Sequence, residues 1–316
     1  MASQLFNFDF SKKQTTNTGS NTSGSSPIHP IAPLPKAEEK IEMSDAVFNN
    51  YRTLIYKLCG IYFTDNKKYL LEGRIVKRLS ANRMRSFEEY LRFIDSPAGK
   101  KELYELFEAI TINETYFFRA PQQFEVMENS IIPEIMAKKI GTPAPTFNIW
   151  VAASSTGEEA YTIAMIILEK FKMKYPTVQF QVFASDINNA VIAQAQKGIY
   201  KEYAIRHVPK NLLEKYFKFD GTNYILSDAV KRLVKFSNIN LYDAPQMRAM
   251  KNIDIIFCCN VLIYFDIPSK QQVVSYLYDA LNRGGYLFIG YSESLHGLSK
   301  AFKLVHLQKA MTYKKE

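Results

Sequence analysis

The chain has 316 residues, 47% of them apolar and 22% charged, with 40 Lys and Arg against 31 Asp and Glu for a formal charge of +9. That length accommodates two domains with cores of their own, and the lack of a bilayer-length apolar run or a signal-peptide pattern predicts a cytoplasmic protein without membrane insertion. Three cysteines without a C-x-x-C spacing and four scattered histidines argue against a disulfide framework and against a metal site. The positive charge by itself suits an acidic protein, an anionic membrane or nucleic acid equally.

Residues 1–42 are rich in Ser, Thr, Asn, Pro and Lys. Such a composition buries too little apolar surface to offset the entropy of ordering, so a disordered tail is expected. Residues 43–135 carry helical periodicity and predict an all-helical domain. Ser44 caps a first helix whose apolar face holds Val47, Phe48, Tyr51, Ile55 and Leu58 and which ends at Gly60. Leu71, Ile75 and Leu79 mark a second helix. Phe87, Tyr90, Leu91 and Ile94 mark a third, and Leu103, Leu106, Phe107 and Ile110 a fourth.

Strands and helices alternate over 136–316, which predicts an α/β domain: a doubly wound, mostly parallel sheet with helices on both faces. The expected strands are Phe147–Ala153, Phe180–Ser185, Leu233–Ser237, Ile253–Cys258 and Tyr286–Tyr291, followed by a hairpin near Lys303–His306 and Ala310–Tyr313. Helices are expected at Glu158–Lys172, Asn188–Lys197 and Ser269–Leu281, the last capped by Arg283-Gly284-Gly285. An insertion over 198–236 is expected to pair Tyr224–Leu226 with Leu233–Phe236 as short antiparallel strands. In this fold class ligands bind beyond the carboxyl ends of the strands, at the switch point.

V-A-A-S-S-T-G-E-E, Val151–Glu159, joins the first strand to its helix. Small residues before a helix start allow a ligand to approach the backbone, but two carboxylates on the turn repel phosphate. The turn suits a ligand with hydroxyls, an amine or a positive centre, such as a sulfonium nucleoside. Asp186, in F-A-S-D-I-N, stands past the second strand, where doubly wound folds place an acid that accepts from ribose hydroxyls. A nicotinamide cofactor needs G-x-G-x-x-G, and the turn holds only Gly157. Thr111–Arg119, T-I-N-E-T-Y-F-F-R, sets polar residues among aromatics at the junction of the two domains, a common place for a ligand site.

N-E-T-Y-F-F-R, S-T-G-E-E-A-Y-T-I-A-M, A-S-D-I-N, F-S-N-I-N-L, C-N-V-L-I-Y-F-D and G-Y-S-E-S-L occur in that order. Together they resemble the chemotaxis receptor methyltransferases, the CheR family, over about residues 45–315. The resemblance implies S-adenosylmethionine as cofactor and glutamate side chains of methyl-accepting chemotaxis receptors as substrate. It implies cofactor contacts at Asn113, Thr115, Arg119, Glu158 (preferred to the adjacent Glu159), Asp186, Asn240, Leu241, Cys259 and Asn260. In this assignment Arg119 pairs with the methionyl carboxylate, the glutamate holds the amine and Asp186 the ribose. Tyr264 resembles a family tyrosine near the transferred methyl and is assigned a positioning role. The family usually carries Arg where this chain has Cys259 and often Pro where it has Ala160, so position 259 is expected to contribute backbone contact only.

A glutamate side chain, with a reference pKa of about 4.3, is already a nucleophile at neutral pH, so no general base is expected. Arg74 and Arg78 lie four residues apart on the second helix, with Arg85 near the same line. Because the implied receptor segments are acidic helices, these arginines form the expected docking face, a solvated basic face being the alternative. The short interval around Gly221 favours an enzyme independent of a tethering peptide. A monomer acting on receptors is expected. A nucleic-acid methyltransferase is disfavoured, because N-V-L-I-Y-F stands where a D/N-P-P-Y/F motif belongs. A non-catalytic, cofactor-binding module of the receptor array is the alternative function, kept open by Cys259.

Overall fold

A computed structural model of the chain describes residues 42–307 and 309–316, so the expected tail over 1–42 lies, Glu42 apart, outside the described residues. Helix α1 (Asp45–Cys59) starts where Ser44 Oγ accepts from the Val47 amide at 3.3 Å. It stops at Gly60, whose φ of 72° is a left-handed conformation that suits glycine. Helices α2 (Lys68–Ala81), α3 (Phe87–Ile94) and α4 (Lys100–Ile110) follow. Their apolar stripes, with Tyr51, Ile55, Leu71, Ile75, Tyr90 and Leu106 at the centre, close into one core.

Beyond a connecting segment, helix α5 (Pro121–Val126) runs through a π turn (Met127–Ile131) into α6 (Ile132–Lys139). The sequence predicts a helical domain that runs to residue 135, which takes in α5 and the start of α6, neither of them among the four expected helices. The apolar side of α5 and α6, with Phe124, Met127, Ile132 and Met136, packs into the core of the sheet.

The remaining elements are β1 (Thr146–Ala152), α7 (Glu158–Ile166), β2 (Gln179–Asp186), α8 (Asn189–Lys197), β3 (Ile199–Tyr200), α9 (Glu202–Ile205), α10 (Lys210–Tyr216), β4 (Phe217–Phe219), β5 (Tyr224–Leu226) and α11 (Asp228–Lys231). After them come β6 (Val234–Asn238), α12 (Ala244–Ala249), β7 (Ile253–Cys258), α13 (Ile267–Ala280), β8 (Leu281–Ile289), β9 (Phe302–Leu307) and β10 (Ala310–Lys315). The main sheet has the order β6-β2-β1-β7-β8-β10-β9. It is parallel from β6 to β8, and the terminal β9–β10 hairpin joins it antiparallel to β8. The chain moves outward from β1 to β2 and β6, then returns to place β7 on the other side of β1, and this reversal makes the switch point.

Both faces of the central strands are apolar, which is why they read as continuous hydrophobic runs. On β1, Phe147, Ile149 and Val151 face the core shared with α5, α6 and α7. Trp150 and Ala152 face the opposite core, built with α13. The fold is thus a doubly wound, mostly parallel sheet with an N-terminal helical domain.

Two expectations need correction. Leu233–Phe236 does not pair with Tyr224–Leu226: β5 pairs with β3 and β4 in a separate three-stranded antiparallel sheet, whereas Val234–Asn238 lies parallel to β2 at the edge of the main sheet. Nor does Arg283-Gly284-Gly285 cap α13. The helix ends at Ala280, and Leu281 is already extended. The glycines lie within β8 where its pairing jumps from Ile253↔Leu281 to Ile255↔Tyr286, with Gly284 at φ 79°. A Cβ on Gly285 would stand 2.9 Å from the Asp254 carbonyl oxygen, so the bulge itself requires glycine.

Candidate active site

A cavity of about 240 Å³ opens at the carboxyl ends of β1, β2, β6 and β7. The sheet ends form one wall. The turn after α1, the helix α2 and the segment Ile110–Arg119 form the other.

The sheet wall is built around the β1–α7 turn. Ala153, Ser155 and Gly157 all have left-handed φ, at 62°, 50° and 91°. Such a conformation is uncommon for residues with a side chain and concentrates at ligand sites. It aims the Ser155 amide at Asp186 Oδ2 (2.9 Å), while Ser155 Oγ donates to the Asn113 carbonyl (3.1 Å) and so ties the two walls together. At Gly157 an added Cβ would meet Ala195 Cβ at 3.0 Å and Phe236 Cζ at 3.1 Å, so the close approach of turn and helix depends on glycine. Ser154 Oγ is buried in this turn without a hydrogen-bond partner.

Asp186 is buried and accepts from the amides of Ser155 and Asn188 (3.0 Å), one bond on each oxygen, leaving lone pairs free for two further donors. Burial raises its pKa, against the opposing pull of those amides. The adjacent glutamates separate cleanly. Glu158 turns away from the cavity and accepts from Thr156 Oγ1 at 2.7 Å. Glu159 lines the cavity, and burial pushes its carboxyl up to about 7 despite the Cys259 thiol and the Arg119 guanidinium beside it.

The facing wall supplies the cations. Arg119 donates to the Glu114 carbonyl (2.7 Å) and sits over the Tyr116 ring at 5.8 Å. Arg74 reaches from α2 to the Ile110 carbonyl and lines the cavity, where burial lowers its pKa. Neither forms an ion pair among the described residues, in contrast to Arg52 and Arg78.

Of the residues expected in the site, Asn113, Thr115, Arg119, Asp186, Asn240, Leu241, Cys259, Asn260 and Tyr264 all line this one cavity. Asn240 is partly committed: its Nδ2 donates to the Leu58 carbonyl (2.7 Å) and its Oδ1 accepts from the Tyr242 amide (3.0 Å). Cys259 Sγ lies 3.6 Å from Gln123 Oε1. Glu158 is replaced at the cavity by Glu159, because the helix start turns adjacent side chains about 100° apart.

The expected docking face does not assemble. Arg74 belongs to the cavity, and Arg78 makes a bidentate pair with buried Glu102 (2.7 and 2.9 Å) plus a contact to Glu105 at 3.2 Å. Arg85 lies exposed beyond the end of α2, which stops at Ala81.

Two features were missed in the sequence. Glu293, within G-Y-S-E-S-L, accepts from the amides of Gly290 (2.6 Å), Asn260 (3.0 Å) and Ile263 (3.2 Å) and so holds Asn260 at φ 60°. The turn Gly60–Phe63 reaches the cavity from the helical side. A lone acid in a loop and a turn after a helix carry no local signal of either role.

Comparison with known proteins matches two family models to successive parts of the chain. A family model for the CheR methyltransferase all-alpha domain matches residues 46–111, and one for the CheR methyltransferase SAM-binding domain matches residues 113–311. Chemotaxis protein methyltransferase 2 of Vibrio cholerae is 33% identical over 278 residues, covering 87% of this chain and 95% of that protein. The chemotaxis protein methyltransferase of Borreliella burgdorferi is 34% identical over 245 residues, covering 77% and 86%. That of Vibrio parahaemolyticus is 34% identical over 279 residues, covering 87% and 98%.

Proposed function

The chain belongs to the CheR methyltransferase family, and we propose that it methylates glutamate side chains on acidic helices of chemoreceptors, forming glutamyl methyl esters. It is an S-adenosylmethionine-dependent methyltransferase of chemotaxis, and S-adenosylmethionine is its cofactor. The donor set of the cavity fits that molecule. Arg119 carries a guanidinium without an ion pair among the described residues for the methionyl carboxylate, Glu159 a carboxylate for the amine, and Asp186 two free acceptor positions for ribose hydroxyls. When bound, S-adenosylmethionine supplies an electrophilic methyl group on a sulfonium.

The observation that carries the substrate assignment is the second arginine. Arg74 and Arg119 line one cavity without ion pairs among the described residues. The cofactor brings one carboxylate, which satisfies one guanidinium. A half-buried, unpaired cation is costly, so the other calls for an anionic substrate group. A glutamate carboxylate answers it. Arg74 holds that carboxylate ionised and oriented in a site sheltered from water, and alignment of the nucleophile is the main contribution asked of the protein. Tyr264, half-buried in the cavity wall, confines the reacting edge. No side chain is assigned a proton, because the nucleophile carries none at neutral pH.

The test is incubation with methyl-labelled S-adenosylmethionine and receptor cytoplasmic fragments, followed by release of volatile label in alkali. Alkali-labile label on receptor glutamates is the expected result. Cofactor binding without ester on any receptor would instead assign a binding module, and label on nucleic acid would assign a different substrate class.

A further inference from the structure

The turn that ends α1 is bonded to the loop that carries Tyr264. The Tyr62 amide donates to the Tyr264 carbonyl at 2.9 Å, and Ile61 forms a β-bridge with Phe265. On the other side of the turn, Gly60 lies flat on the ring of Tyr242, where a Cβ would stand 2.6 Å from Tyr242 Cδ2. The Tyr242 ring is supported by Tyr56 (centroids 6.1 Å apart), and Tyr56 Oη donates to Asp266 Oδ1 at 3.3 Å. The contacts form a closed circuit from α1 through Tyr242 and Asp266 and back to Tyr264.

We propose that Gly60 and Tyr242 are positioning residues for methyl transfer, setting the Tyr264 side chain against the cavity through the Tyr62–Tyr264 main-chain bond. This rests on the role given to Tyr264 above. The helical domain then completes the site rather than merely carrying the substrate to it. Gly60 is required twice over: its φ of 72° disfavours a side chain, and the face of Tyr242 leaves no room for one. The circuit touches the reacting edge and not the carboxylates assigned to the amine and ribose, and its links to Asn240, through the Tyr242 amide and the Leu58 carbonyl, are main-chain groups that side-chain substitution leaves in place. Its disturbance therefore acts on turnover more than on cofactor affinity.

The experiment measures ester formation on receptor fragments and cofactor affinity by calorimetry for Gly60→Ala, Tyr242→Ala, Tyr242→Phe and Tyr264→Ala. Displacement of a positioned group by about 1 Å costs up to roughly 100-fold, so Gly60→Ala and Tyr242→Ala should lower kcat roughly tenfold or more. Cofactor Kd should stay within about threefold, a split between binding and turnover that general loss of structure does not produce. Tyr242→Phe keeps the ring and should keep the rate. In the Tyr264→Ala background Tyr242→Ala should have no further effect on kcat, the mark of two residues acting through one element. Should Gly60→Ala fail to fold, the Tyr242 and Tyr264 variants decide the question alone. Additive losses, a loss confined to cofactor Kd, or an unchanged rate in Tyr264→Ala overturns the inference while ester formation by the wild type stands. No ester from the wild type overturns the substrate reading and this one with it.

Discussion

The two walls of the cavity carry opposite charge and reach the site by different routes. The sheet wall presents Asp186 from the end of β2 and Glu159 from the first turn of α7, beside a turn with three left-handed residues. The facing wall presents Arg74 from α2 and Arg119 from the segment that follows the helical domain. Asp186 and Glu159 thus come from the strand ends, whereas Lys67 and Arg74 come from the helical domain and Arg119, with Glu114 close by, from the segment that joins it to the sheet. This division matches a ligand whose amine and ribose lie over the strands, with acidic groups approaching from the other side. It also explains why charge counting misjudged α2. Arg74 and Arg78 are one helical turn apart, yet Arg78 is paired with Glu102 and Arg74 pairs with no anion among the described residues.

The largest effect is expected on the sheet wall. Asp186→Ala removes an acceptor for two hydroxyls, and hydrogen bonds to a charged group contribute about 1.5–3 kcal/mol each. Cofactor affinity should fall by roughly 100-fold or more, read by calorimetry, with folding intact by circular dichroism. A loss of less than about threefold would place the ribose elsewhere and dissolve the contrast between the walls.

On the opposite wall the two arginines of α2 should fail in different ways. Arg74→Ala should lower kcat/KM for receptor by roughly 100-fold, as removal of a charged positioning contact does, with little change in cofactor Kd or melting temperature. Arg78→Ala leaves the Glu102 carboxylate buried beside the Tyr90 hydroxyl (2.7 Å) without its cation. Stranding one partner of such a pair costs about 3 kcal/mol, so its melting temperature should drop while activity per folded molecule holds. Equal kinetic losses in the two variants would restore a docking face along α2.

These differences mark what the sequence could and could not disclose. The strands, the capped first helix and the strand-turn-helix wall of the cavity were legible because period-2 and period-3.6 patterns and a strand-turn-helix junction are local signals. The choice between Glu158 and Glu159 was not. It depends on the azimuth at which α7 leaves Gly157, which is set by packing against Ala195 and Phe236 from other elements. The grouping of α5 and α6 with the sheet was hidden for a related reason: an apolar helix face does not name the surface that will cover it. Arg78 looked free because its partner, Glu102, lies 24 positions away on α4.

Glu159 gives the wall comparison a pH dependence. Burial raises its carboxyl to about 7 in the free protein, so it is half protonated there. A bound ammonium favours the ionised form, so binding in acid must release that proton. Cofactor affinity should therefore be full above pH 7 and fall by up to about tenfold per unit below it. Glu159→Gln should flatten the acid limb and weaken binding at pH 8, whereas Glu158→Gln should leave the limb in place. A profile that is flat from pH 5.5 to 7.5 in the wild type would move the amine away from Glu159.

The smallest effect belongs to Cys259, the position where the sheet wall departs from the family pattern. Burial first, and then the neighbouring Glu159, raise the pKa of its thiol well above the ordinary value, so at neutral pH it is an uncharged, weak donor. Its contact with Gln123 Oε1 is 3.6 Å long. Cys259→Ala should change cofactor Kd by less than about threefold, because little more than a weak hydrogen bond is lost. Cys259→Arg is the sharper variant. A guanidinium beside Glu159 would lower that carboxyl's pKa and carry the acid limb of the binding profile below pH 7. An unmoved limb in Cys259→Arg, measured by calorimetry across pH 5.5–7.5, would mean that residue 259 does not act on Glu159. The anionic character of the sheet wall would then be set by Asp186 and Glu159 alone, whatever stands at position 259.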